Sequence, residues 1–196
     1  MDYVKPSLTK EEERKLLDER ISTLIKLRKE HAEKGDDWAR GALFEEYVLI
    51  MFPKENFKLI DVSPKKEDTP YRECERSKMP DLKFEDIETK EIFWVECKID
   101  LDYSKNPYTG EAYVQLCRRE EEVENYRKAN EEHKVFYVLG RGENPLCPKY
   151  ISCLDFNDTE HFKPSLNYCI ERQVKGNRAI KSLDHLKKIA SGKQNH

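Results

Sequence analysis

The sequence predicts an α/β fold in which helices cover a mixed β-sheet, with the elements in the order helix, three strands, helix, strand. The first observation is the apolar run Ile-Phe-Trp-Val at residues 92–95, which is typical of a strand buried on both faces. A second apolar run, Val-Phe-Tyr-Val-Leu, covers residues 135–139. Thirdly, the segments before and between these runs repeat apolar side chains at helical spacing. In a chain of 196 residues, with 37% hydrophobic and 38% charged residues, these patterns indicate one folded domain with a highly charged surface.

The chain is predicted to begin with helices. Residues 10–34 place apolar side chains at helical spacing in a charged background, which predicts a long amphipathic helix that Gly35 ends. A second helix is predicted over residues 37–52, where aromatic and aliphatic side chains form a broad apolar surface. Residues 57–62 then predict a first strand, and a polar connection from 63 to 79 follows that is long for a compact domain.

The central part of the chain is predicted to continue the sheet. Residues 81–84 and 92–98 are expected to pair as a hairpin around the charged turn at 85–91. The turn at residues 106–110 is predicted to start a helix over residues 111–131.

The remaining segments predict strands at residues 135–139 and 149–154 and short helices at 165–172 and 178–190. We therefore expect a single domain over residues 1–196. Its expected parts are an N-terminal amphipathic helix within residues 1–35, a core over 36–154 and a C-terminal helical extension over 155–196.

The composition argues against several classes of protein. The net charge of -3 provides no overall attraction to nucleic acid, although local basic clusters can provide one. No apolar run approaches the roughly 20 residues of a membrane-spanning helix, and the N-terminus is charged instead of signal-like. The six cysteines and five histidines are scattered without metal-ligand spacing. This argues against a structural zinc site and favours reduced thiols in a cytoplasmic protein.

A carboxylate and an amine stand at the end of the buried strand predicted over residues 92–98. Because strand side chains alternate between two faces, Glu96 and Lys98 are expected to share a face, and a tight hairpin would bring Asp81 beside Glu96. Two close carboxylates repel each other unless a cation lies between them, and Mg²⁺ is typically held by one or two carboxylates with waters and phosphate oxygens. A neighbouring lysine can orient or deprotonate a water and stabilise a phosphorus-centred transition state.

These residues resemble a known signature. A Pro-Asp pair ending at Asp81, fourteen intervening residues and then Glu96-Cys97-Lys98 resemble the motif of the PD-(D/E)XK nuclease superfamily, which has the restriction-endonuclease-like fold. The resemblance covers residues 36–154. It implies that Asp81, Glu96 and the main-chain carbonyl of Cys97 hold Mg²⁺, for which Mn²⁺ can substitute, and that Lys98 acts on the water. The implied activity is hydrolysis of phosphodiester bonds in nucleic acid, with DNA as the expected substrate.

The resemblance also implies supporting residues. The segment Gly-Ala-Leu-Phe-Glu that ends at Glu45 is similar to the superfamily's upstream helix, whose glutamate lies near the metal, and Glu45 is preferred over Glu46. Some branches carry a glutamine on the helix after the lysine strand, where Gln115 is expected. Tyr103 and Lys105, in the predicted loop just past the lysine strand, are candidates to contact a phosphate or a base.

The acid-x-lysine part of the signature has low specificity in a chain this rich in charge. It occurs five times, at Glu13 and Lys15, Asp81 and Lys83, Glu88 and Lys90, Glu96 and Lys98, and Glu132 and Lys134. Only the Glu96 copy closes an apolar strand and follows a Pro-Asp pair at hairpin distance.

Two alternatives to the enzyme remain open. The first is an ion pair at an edge strand with no chemistry. The second is a nucleic-acid-binding or protein-interaction module that keeps the same fold without catalysis. In such a module, the helix predicted over residues 10–34 would mediate assembly with other chains. For an enzyme and for a module alike, this helix offers a surface for a possible homodimer.

Overall fold

The structure is a computed structural model that describes residues 37–63, 79–99, 103–117, 119–142, 144–159 and 163–193. The amphipathic helix predicted over residues 10–34, and residues 64–78 of the predicted polar connection, lie outside these ranges. None of the helices in the described ranges has the length and apolar character needed to span a bilayer.

The described residues form a mixed α/β fold around a five-stranded sheet. In chain order the strands are β1 (Phe57–Val62), β2 (Leu82–Asp86), β3 (Ile92–Ile99), β4 (Tyr103–Lys105), β5 (Ala112–Val114), β6 (Val135–Arg141) and β7 (Tyr150–Asp155). The sheet has the order β1-β2-β3-β6-β7, while β4 and β5 form a separate two-stranded sheet. The pairs β1 with β2, β2 with β3 and β6 with β7 are antiparallel, whereas β3 and β6 are parallel. The predicted mixed sheet is confirmed.

Helices cover both faces of the sheet. They are α1 (Asp37–Met51), α2 (Glu120–Glu132), α3 (Leu166–Glu171) and α4 (Leu183–Ala190), with a short 3₁₀ helix at Phe156–Asp158. On one face Val95 of β3 packs in a cluster with Phe44 of α1 and Leu186 of α4. On the other face the adjacent Trp94 packs in a second cluster with Tyr126 of α2. The alternation of side chains along β3 therefore assigns each residue of this strand to one of the two layers.

The helix predicted over residues 111–131 is wrong in its first half. The Asn106 Oδ1 atom accepts hydrogen bonds from the N–H groups of Tyr108 and Thr109, at 2.9 and 3.3 Å. The N–H of Gly110, at φ 70°, donates to the Asn106 carbonyl at 2.8 Å. These bonds close a turn between β4 and β5, so the chain forms a hairpin and α2 begins only after it. The other predicted elements within the described ranges are confirmed with shifts of one or two residues at their ends, except that the helix predicted over residues 178–190 begins only at Leu183.

Candidate functional site

Asp81 and Glu96 come together where β2 and β3 meet at one end of the sheet. The antiparallel register pairs Leu82 with Val95, so that Asp81, one residue before β2, lies opposite Glu96. The Asp81 N–H donates to the Glu96 Oε2 atom at 3.2 Å. Both residues are buried, with 3% and 4% of their surface exposed. Asp81 and Glu96 are therefore neighbours at this end of the sheet, and their roles as metal ligands stay a prediction.

The backbone N–H of Cys97 points toward the Asp81 side chain. It donates to the Asp81 Oδ2 atom at 2.9 Å. The N–H and C=O of one strand residue point to the same side of the strand, so the Cys97 carbonyl is also directed toward Asp81. Two carboxylates and one carbonyl oxygen therefore lie around the open end of the β2–β3 pair.

Lys98 shares a face with Glu96, as the period of two predicts. Its Nζ atom lies 2.8 Å from the Glu96 Oε1 atom and 2.8 Å from the Glu122 Oε1 atom. Burial alone would lower the pKa of Lys98, but the negative charges and hydrogen bonds of Glu96 and Glu122 outweigh it and raise the pKa above its ordinary value. The side chain is therefore an ammonium cation between two carboxylates.

Glu122 and Tyr126 of α2 also lie at the site, although the sequence did not predict them as site residues. The Tyr126 hydroxyl donates to the Glu122 Oε1 atom at 3.3 Å. Burial, followed by the nearby charges of Glu96, Asp81 and Glu122, raises the pKa of Tyr126 well above its ordinary value, so the hydroxyl remains a donor. A signal existed in the i, i+4 spacing of Glu122 and Tyr126, which places them on one helix face. Because residues 120–122 are three consecutive glutamates, the sequence does not indicate which of them points toward the site.

Glu45 is buried, with 3% of its surface exposed. It follows Phe44, whose ring packs in the layer of α1 and α4, on the face of the sheet opposite to Trp94. Glu96 and Lys98 have the same parity in β3 as Trp94, so α1 packs mainly against the other side of the sheet. The metal-ligand role of Glu45 stays a prediction.

Gln115 does not lie on a helix, contrary to the expectation. It falls between β5 and α2, and its Nε2 atom donates to the Cys117 carbonyl at 3.2 Å. The placement was wrong because the turn after Asn106 builds a hairpin and delays the helix. For the same reason Tyr103 and Lys105 belong to strand β4 and not to a loop, and the Lys105 side chain is exposed.

The residues present fit a hard divalent cation better than a soft one. Within the described ranges no three His, Cys, Asp or Glu side chains form a metal-binding group. Mg²⁺ does not need such a group, because it usually keeps several waters and takes only one or two carboxylates from the protein. The Asp81 and Glu96 carboxylates, together with the Cys97 carbonyl, supply oxygen atoms of this kind.

Comparison of the chain with protein-family models and with curated proteins gave no match. The positions of Asp81, Glu96, Lys98 and Glu122 on the sheet and on α2 are therefore the basis for assigning a function.

Proposed function

We propose that this protein is a Mg²⁺-dependent nuclease with a restriction-endonuclease-like core, and that it hydrolyses phosphodiester bonds in DNA. The observation that carries the proposal is the linked pair of carboxylates: Asp81 accepts from the Cys97 N–H and donates its own N–H to Glu96, directly beside Lys98. The order of elements adds support, because one helix, three antiparallel strands, a second helix and a parallel strand resemble the superfamily core.

Asp81, Glu96 and the Cys97 carbonyl are the residues that would hold the ion. When bound, Mg²⁺ neutralises phosphate charge and makes a water more acidic. The hydrogen bond from Cys97 to Asp81 fixes one carboxylate oxygen, so the carboxyl group is oriented before any ligand arrives. Burial of both carboxylates strengthens their attraction for a cation, because there is little water to screen it.

Lys98 supplies a positive charge beside the carboxylates that would hold the ion. Because its ammonium group stays protonated, its proposed role is to donate hydrogen bonds to the attacking water and to a phosphate oxygen, and not to remove a proton. Glu122 limits where the ammonium group can point, since the two groups are 2.8 Å apart. Tyr126 in turn donates to Glu122 and orients it.

A second candidate function is a DNA-binding module of the same fold without catalysis. One observation favours it: the Lys98 ammonium group contacts both Glu96 and Glu122, so part of the negative charge of this cluster is offset without a metal ion. The nuclease is expected to cleave DNA, whereas the binding module is expected to bind DNA without cleaving it.

The experiment that tests the proposal is incubation of the purified protein with plasmid and linear DNA in Mg²⁺ or Mn²⁺. We expect cleavage by the wild type, loss of at least about 100-fold in Glu96→Gln and Lys98→Met, and no cleavage in EDTA. The controls are Glu88→Gln, in the exposed turn after β2, and Lys58→Met, on the edge strand β1. Both controls should cut like the wild type.

The nuclease proposal is lost if the wild type leaves every substrate intact, or if the Glu96 and Lys98 variants cut as fast as their controls. Thermal unfolding of each variant is needed beside the assay, because an unfolded variant would also be inactive. Retained DNA binding without cleavage would support the non-catalytic module.

A further inference from the structure

A cleft of about 350 Å³ opens beside Lys98 on the same face of the sheet as Glu96. Leu139 of β6 and Val114 of β5 line it, and both belong to the layer that contains Trp94. Since β6 is the direct neighbour of β3, the cleft begins about 5 Å from the strand that carries the candidate site. The Lys98 side chain belongs both to the lining of the cleft and to the proposed active site.

The lining of the cleft is largely apolar, with an aromatic ring at its edge. Val114, Leu139, Leu166 and Ile170 provide aliphatic surface, and Tyr150 also contributes to the lining. Tyr150 and Ile170 are 44% and 47% exposed, so they stand at the mouth. Such a lining suits a flat, apolar-faced group that stacks on an aromatic ring.

Basic side chains contribute to the lining of the cleft. Lys98 and Arg141 line it, and no acidic residue does so within the described part of the chain, while Glu96 and Glu122 contact Lys98 from outside the lining. Lys149 lies over the Tyr150 ring, with its Nζ atom 5.3 Å from the ring centroid. A flat group attached to an anionic chain is therefore favoured over a neutral or cationic ligand.

We propose that this cleft holds one unpaired nucleobase of the substrate strand, next to the phosphate that reaches Lys98. The inference rests on the proposed nuclease function and deepens it. A base inside a duplex is stacked on both faces and cannot enter such a cleft without leaving the stack, which costs free energy. The preferred substrate is therefore DNA with a single-stranded or frayed segment at the cleavage position.

Besides Lys98, Arg141 and the Tyr150 hydroxyl, the cleft has few polar side-chain groups. The Ser152 hydroxyl donates to the Cys169 carbonyl at 2.7 Å, so its hydrogen atom is directed away from a bound base. Gln173 contributes one carboxamide side chain to the lining. Recognition by stacking and shape should accept all four bases with small differences.

The test compares Ile170→Glu with Ile50→Glu, which places the same charge on an exposed isoleucine of α1, where Ile50 is 73% exposed. Binding of fluorescent single-stranded and duplex oligonucleotides is measured by anisotropy with Ca²⁺ in place of Mg²⁺. We expect the wild type to bind single strands more tightly than duplex. Ile170→Glu should weaken single-strand binding about tenfold, as loss of a stacked base does, and Tyr150→Ala should weaken it in the same direction. Ile50→Glu should leave binding unchanged.

Equal binding of single strands and duplex by the wild type, or unchanged binding in Ile170→Glu and Tyr150→Ala, would overturn the inference. Because this assay needs no turnover, its failure is distinct from failure of the nuclease proposal. Cleavage of intact duplex that the cleft variants do not affect would remove the base site and leave the nuclease. Selective single-strand binding without any cleavage would remove the nuclease and leave the base site.

Discussion

The protonation and position of Lys98 depend on the carboxylates that surround it. An isolated lysine with 19% side-chain exposure would be disfavoured as an ammonium ion, because burial removes its hydration. Glu96 and Glu122 reverse this balance, each at 2.8 Å from the amine. Glu96 is also a proposed metal ligand, so Glu122 is the partner that would hold Lys98 while Glu96 binds the ion.

Glu122→Gln should reduce turnover without unfolding the protein. The amide cannot hold the ammonium group by charge, so Lys98 would sample more positions, and we expect kcat to fall by at least about tenfold with KM little changed. Steady-state cleavage kinetics measure this effect. Glu120→Gln, on the exposed part of the same helical turn, is the matched control. An equal loss in both variants, or a loss in neither, would contradict the positioning role of Glu122.

A different carboxylate, Asp86, stabilises the fold far from the site. It is 1% exposed, and its Oδ1 atom accepts hydrogen bonds from the N–H groups of Glu88 and Thr89, each at 2.9 Å. Its Oδ2 atom accepts from the Leu183 N–H at 2.7 Å, at the start of α4. Burial would raise the pKa of Asp86, but the hydrogen bonds outweigh burial, and the pKa lies below its ordinary value.

Asp86→Asn should lower the free energy of unfolding by about 2 kcal/mol at pH 7, because an amide nitrogen would face the Leu183 N–H. A carboxyl group with a lowered folded-state pKa stabilises the protein above its unfolded pKa, and this contribution is lost as the pH falls through the folded-state value. The difference between wild type and variant should therefore shrink below about pH 4. Urea unfolding at several pH values measures it, and a difference independent of pH would refute this account.

At the scale of elements, α1 is held against the end of β6 by a close approach. A Cβ atom added at Gly140 would lie 2.3 Å from the Phe44 ring, closer than any normal contact. Phe44 is fully buried in the layer of α1 and α4, so its ring has little room to move. Gly140 therefore determines how closely this helix packs on the sheet.

Gly140→Ala should lower the free energy of unfolding by about 1 to 3 kcal/mol, because Phe44 and α1 must shift. Gly41→Ala is the matched control, since nothing lies within 4 Å of an added Cβ there and alanine favours a helix interior. The control should be as stable as the wild type or more stable. The double variant Gly140→Ala with Phe44→Leu should be less destabilised than the sum of its single changes, and strict additivity would refute the contact.

The strands that the sequence predicts most directly are those with long apolar runs. Residues 92–95 and 135–139 can only be buried, so their strands followed from composition and length. The hairpin of β4 and β5 could not be predicted in the same way, because burial of Val114 and Tyr126 is equally consistent with one continuous helix. The side-chain hydrogen bonds of Asn106 decided between these structures, and a hydrophobic pattern does not contain them.

For the candidate site, the neighbouring positions of Asp81, Glu96 and Lys98 could be predicted from the sequence. They follow from the period of two along β3 and from the hairpin pairing of β2 with β3. Glu122 required knowledge of where α2 packs, which depends on the whole layer around Trp94. A residue brought to a site by tertiary packing of a charged helix leaves only a weak signal in the sequence.

At the scale of the whole molecule, the reactivity of the cysteine thiols measures how well the core excludes solvent. Cys117, Cys153 and Cys169 are buried, whereas Cys147 is exposed. Burial raises the pKa of the Cys117 and Cys169 thiols to about 11 and that of Cys153 to about 12. At pH 8 only about one thiol in a thousand or fewer of these three is the reactive thiolate.

A thiol reagent should therefore modify Cys147 rapidly in the native protein and the three buried cysteines only in denaturant. Mass spectrometry of peptides after brief labelling at pH 8 measures this. Cys147→Ser should remove the label from its peptide and leave the buried three protected. Rapid labelling of Cys153 in the native protein would mean that the sheet does not exclude solvent as described.

The central claim is that Asp81 and Glu96 form an oxygen-lined position for one divalent cation beside Lys98. Titration of the protein with Mn²⁺, followed by the loss of the free-ion electron paramagnetic resonance signal, tests it without any nucleic acid. We expect saturable binding of one ion by the wild type and by Glu88→Gln, and its loss in Asp81→Asn and Glu96→Gln. Absence of binding by the wild type, or equal binding by all four proteins, would contradict the account.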